Sequence, residues 1–126
     1  MNYAEAAREI AARLARGGDD VVAAGAIQMA IEAWKCLAGT DLAWDRFGLE
    51  LLDVRARLYS DHDDVLVDAD VPVRDDAETR LAVTALLEQL ARHHDRLASD
   101  DQSDLARRLS HDAGAQQLRR AVAALA

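Results

Sequence analysis

A chain of 126 residues, 51% apolar and 30% charged with a formal net charge of −8, is long enough for one buried core and too short for two, so a single helical domain over residues 1–126 is expected. The apolar fraction, carried largely by Ala, Leu and Val, excludes disorder, and no run approaches the roughly 18 apolar residues of a membrane span. Net acidity argues against broad nucleic-acid binding, which needs a basic face.

The first predicted helix runs from about Tyr3 to Arg16, with Tyr3, Ala7, Ile10 and Leu14 on one face. Gly17 and Gly18 end it, and Asp19 or Asp20 caps the next by accepting its free backbone amides, giving a helical hairpin. From Val21 to Leu37 the polar residues Gln28, Glu32 and Lys35 form one stripe on an otherwise apolar helix, which is expected at the centre of the fold. The same helix suits a dimer seam equally well, so self-association is a second expectation for it. Gly25 inside it predicts close approach of a neighbouring helix, and Cys36 reads as a core residue.

Thr40 is the predicted N-cap of a third helix from Asp41 to about Tyr59, with Leu42, Phe47, Leu51, Val54 and Leu58 facing inward and Trp44 at its shoulder. Ala26, Ala33, Trp44, Phe47, Gly48 and Leu51 share the register of adjacent helices in a tetratricopeptide array, but Ser60, Asp64 and Val67 break the pattern. Two packed helices with small residues at their contact account for it, and no family is assigned.

Residues 61 to 75 interrupt the helical plan. Seven Asp stand against one Arg between Asp61 and Asp76, leaving only −2 for the rest of the chain. Val65, Val67, Val71 and Val73 with Pro72 favour extended backbone, so a long irregular acidic connection is expected. Asp61, Asp63 and Asp64 do not make an EF-hand, because Val65, Leu66 and Pro72 occupy positions where calcium coordination needs an oxygen ligand, glycine and glutamate.

Asp75 or Asp76 caps a strong helix reaching about Ala98, whose buried stripe is Val83, Leu86, Leu87, Leu90 and Leu97. His94 extends that stripe to a core edge, while His93 points roughly 100° away, so the pair reads as structural rather than as a chelate. No metal site or cofactor is expected. Ser99 with Gln102 suggests a capping box, followed by short helices near 103–110 and 115–125. The pattern is an all-α compact bundle of five to six helices.

Three functions follow in order of preference. The first is a non-enzymatic protein-interaction module, a small adaptor, inhibitor or immunity-type regulator, in which Asp61, Asp63, Asp64, Asp68 and Asp70 contact a partner with a basic surface. The second is a DNA-binding regulator using a degenerate C-terminal helix-turn-helix with Arg107, Arg108, Gln116, Gln117, Arg119 and Arg120. The third rests on Glu50-x-x-Asp53, which resembles half of the carboxylate set of all-α nucleotide pyrophosphohydrolases and implies metal-dependent nucleotide hydrolysis; Glu32 followed by Lys35 leaves the other half unfilled. The lone cysteine, the charged N-terminus and the preference for Arg over Lys point to a bacterial cytoplasm.

Overall fold

The computed structural model describes residues 2–62, 70 and 74–126, and among them there are five α-helices and one short 3-10 turn. The helices are α1 Tyr3–Ala15, α2 Asp20–Leu37, α3 Leu42–Leu58, α4 Ala77–Ala98 and α5 Leu105–Leu125, with the 3-10 turn at Ser60–His62. This is the all-α bundle that the periodicity predicts. Among the described residues no helix is long and apolar enough to cross a membrane.

Each helix start is held by a side chain that accepts otherwise orphaned amides. Asn2, Asp19, Asp41, Asp76 and Asp104 serve α1 to α5 in turn. Thr40 is therefore not the cap of α3; its hydroxyl donates back to the Leu37 carbonyl, and Asp41 takes the capping place. Gly17 and Gly39 adopt φ of 89° and 84°, the left-handed region where a Cβ is strained, and so turn the chain after α1 and α2.

Helices α2, α3, α5 and α4 form a ring in which each packs on the next, α2 and α4 touch, and α1 lies against both of these. Helix α2 occupies the interior as predicted, with nine buried residues from Ala23 to Leu37. Its polar stripe is internally paired: Gln28 donates to Glu32 at 2.8 Å and Lys35 lies 3.5 Å from the same carboxylate. Most of the apolar residues of α2 are used inside the monomer, with Val21 at its start left exposed.

Several expectations are corrected. Among the described residues no heavy atom outside its own helix stands within 4 Å of a Cβ built on Gly25, so none of the five helices approaches closely there. The close approaches are at Gly48, where a Cβ would collide with the Trp34 indole, and at Gly114, where it would lie 2.5 Å from Leu58 Cδ1. Cys36 is exposed. Trp44 and Phe47 are fully buried, edge to face at 5.2 Å, whereas Leu42 is 61% exposed. Ser99 ends α4, and residues 105–125 form one helix in place of two short ones.

Arg80 ties three elements at one end of the bundle. Its guanidinium makes two bonds to Asp75, at 2.8 and 2.7 Å, and donates to Asp41 at 3.1 Å and to the Leu125 carbonyl at 3.2 Å, with its plane 5.9 Å from the Trp44 ring. The starts of α3 and α4 and the end of α5 therefore share one cation. That cation holds Asp75 below the usual carboxylate range, and a backbone bond from Ala43 followed by Arg80 lowers Asp41.

Candidate functional site

At the other end of the bundle stand the four histidines of the chain. His62 lies in the 3-10 turn, His93 and His94 near the end of α4, and His111 near the start of α5. Tyr59, the C-cap of α3, and Asp20, in the first turn of α2, complete the group. Five separate segments are needed to bring these side chains together.

His94 is the hub. Its Nε2 is 2.5 Å from the Tyr59 hydroxyl and its Nδ1 is 2.9 Å from His111 Nδ1, with the two imidazoles stacked at 5.1 Å. Neutral imidazole carries one proton, so one ring nitrogen donates while the other accepts. The three groups therefore form a hydrogen-bonded chain in which every bond points the same way. The His93 ring meets that of His94 edge-on at 5.3 Å, and the Tyr59 ring lies 6.3 Å from that of His62.

Burial sets the electrostatics. His94 is 2% exposed, and desolvation, reinforced by the neighbouring His93 and His111, pushes its pKa down to about 3. Desolvation also lowers His93 and His111, each against an opposing pull from Asp20, and it raises the Tyr59 phenol. At neutral pH His93, His94, His111 and Tyr59 are thus uncharged. Among the described residues His93 Nε2 and His62 Nδ1 are buried without a hydrogen-bond partner, the former 3.8 Å from Asp20 Oδ1. Among the described residues no three His, Cys, Asp or Glu side chains converge in a metal-holding arrangement. This uncharged chain of bonds fixes the relative positions of α3, α4 and α5, and with Tyr59 and His94 buried and His111 half-buried it suits positioning better than proton exchange with a substrate.

Sequence reasoning places His94 at a core edge and sends His93 elsewhere. Both are in fact buried in one cluster, because the turn after α3 and the start of α5 supply partners that spacing along α4 cannot reveal. Of the five acidic contact residues, Asp61 is exposed in the 3-10 turn two residues after Tyr59, and Asp70 is exposed. Asp63, Asp64 and Asp68 lie outside the described residues, as does most of the acidic connection.

The two other sequence patterns take different forms. The expected C-terminal helix-turn-helix has no turn, since α5 is continuous through Gly114. Three of its four arginines turn to their own fold: Arg119 binds Asp95 at 2.5 Å, Arg120 lies 3.5 Å from Glu50, and Arg108 donates to the Ala98 carbonyl. Gln117 is buried and donates to Asp53 at 2.7 Å, while accepting from Arg57. Glu50 and Asp53 are accordingly both engaged by side chains of α5. Comparison with protein-family models, curated proteins and solved structures finds no match to this chain.

Proposed function

We propose that this chain is a non-enzymatic interaction module, an adaptor, inhibitor or immunity-type regulator of a bacterial cytoplasm. Its contact element is the acidic segment Asp61, Asp63, Asp64, Asp68 and Asp70, and its partner presents a basic surface. The observation that supports this reading is the seat of the segment: Asp61 is exposed two residues after Tyr59, whose hydroxyl is bonded to His94. A charge anchored beside a locked side chain, as Asp61 is, lowers the ordering cost of binding.

The test replaces all five aspartates with asparagine. A partner recovered with the unmodified chain should bind the variant far more weakly, and its association with the unmodified chain should slow as salt is raised. Equal binding of the two chains by the same partner would refute the acidic contact. Circular dichroism of the variant checks that the bundle is intact.

A further inference from the structure

Helix α3 carries two apolar stripes rather than one. Trp44, Phe47, Leu51, Val54 and Leu58 recur at alternating steps of three and four and pack into the core. Leu42, Asp45, Leu49, Leu52 and Ala56 recur at the same steps, displaced by two residues and hence by about 200° around the helix. This second stripe is exposed along its length, with Leu42 at 61%, Leu49 at 73% and Leu52 at 36%. Beside it a shallow groove of about 370 Å³, lined by Arg46, Leu49, Glu50, Arg120, Ala123 and Ala124, extends the apolar surface toward α5.

We propose that this outer face of α3 is the interface of a two-fold homodimer, in which α3 packs antiparallel to α3 of a second copy. The pattern of charge selects that occupant and that direction. Arg46 and Asp53 lie on the same flank of the stripe, seven residues apart, and the Asp53 carboxylate stays half exposed while it takes bonds from Arg57 and Gln117 on its Oδ2, so a two-fold axis across the helix brings Arg46 of each copy toward Asp53 of the other. A parallel arrangement would stack Asp45 on Asp45 of the second copy, burying two like charges. The antiparallel one faces Asp45 with the small Ala56 and pairs Leu49 with Leu52 twice around the axis. Asp45 already accepts a bond from the Gly39 amide at 3.0 Å, so it is satisfied at the rim.

Sedimentation of the full chain across a concentration series is expected to show a reversible monomer–dimer equilibrium. Leu49→Glu should abolish the dimer without lowering the melting temperature of the monomer, because the side chain is exposed. Arg46→Glu, which sets a second carboxylate against Asp53, should weaken the dimer by roughly tenfold or more. In a Cys36→Ser background, a mixture of Asp45→Cys and Ala56→Cys chains should form a disulfide between copies, and Asp45→Cys alone should not. A monomer at all concentrations, or a dimer that survives Leu49→Glu, overturns the proposal. Cross-linking of Asp45→Cys to itself, or indifference to Arg46→Glu, overturns the antiparallel arrangement.

Discussion

Two side chains decide how the ends of this bundle are closed. Tyr59→Phe deletes a hydroxyl while keeping the ring, and leaves His94 Nε2 buried without its partner at 2.5 Å. The expected loss is about 1–3 kcal/mol in urea-induced unfolding, the cost of an unsatisfied buried polar atom. At the opposite end, Arg80→Lys keeps the charge but cannot reproduce two bonds to Asp75 together with donations to Asp41 and the Leu125 carbonyl. The guanidinium is a quarter exposed, so solvent screens part of the effect and a loss of about 1–2 kcal/mol is expected. An Arg80→Lys chain as stable as the original would mean that the positive charge alone closes that end.

At the scale of the element, glycines separate packing from propensity. Gly25 sits inside α2 with open space beside it, so Gly25→Ala should stabilise the fold by about 0.5–1 kcal/mol through the backbone alone. Gly48 is covered by the Trp34 indole, a rigid ring that has to move for any Cβ to fit. Gly48→Ala should therefore destabilise by about 1–3 kcal/mol despite its better helix propensity. Opposite shifts in melting temperature check the pair; shifts of one sign would contradict the packing described. The helices themselves are legible from the sequence, because caps such as Asp19 and Asp76 and stripes such as Val83–Leu87–Leu90 act locally. The first turn of α3 is not: Phe47, Leu51, Val54 and Leu58 face inward as expected, but Leu42 and Trp44 exchange places. Two stripes with the same period compete there, and the volume of Trp44 and Phe47, rather than periodicity, settles which one is buried. The break expected between 110 and 115 is likewise absent, and α5 runs straight through Gly114. The histidine cluster is invisible at this scale, since Tyr59, His94 and His111 meet only once α3, α4 and α5 are packed.

For the molecule as a whole, the two ends respond to acid over different ranges. Burial holds His94 at about 3 and lowers His93 and His111, against an ordinary value of 6.5. Groups depressed in this way contribute fully above about pH 6.5, where both folded and unfolded chains leave them neutral. As pH falls below that point the unfolded chain takes up protons that the folded one refuses, and stability drops by up to about 1.4 kcal/mol per pH unit for each such histidine. Asp20 offsets part of this for His93 and His111. At the other end Asp75, lowered chiefly by its Arg80 partner, keeps its contribution down to about pH 4 and loses it only below. Unfolding free energy should accordingly fall between about pH 6.5 and pH 4, and His94→Gln should flatten that slope. A constant free energy across this range would show that the histidines stay solvated.

Arg80 and its carboxylates keep their charges through mild acid, so the end they hold stays shut while the histidine end loosens. The fold then frays from one side. Amide hydrogen exchange near pH 5 should quicken first around His94 and His111, with the amides of Trp44 and Arg80 still slow. A bundle drawn together by one continuous core would thus open like a hinged case, with its catch and its hinge at opposite ends.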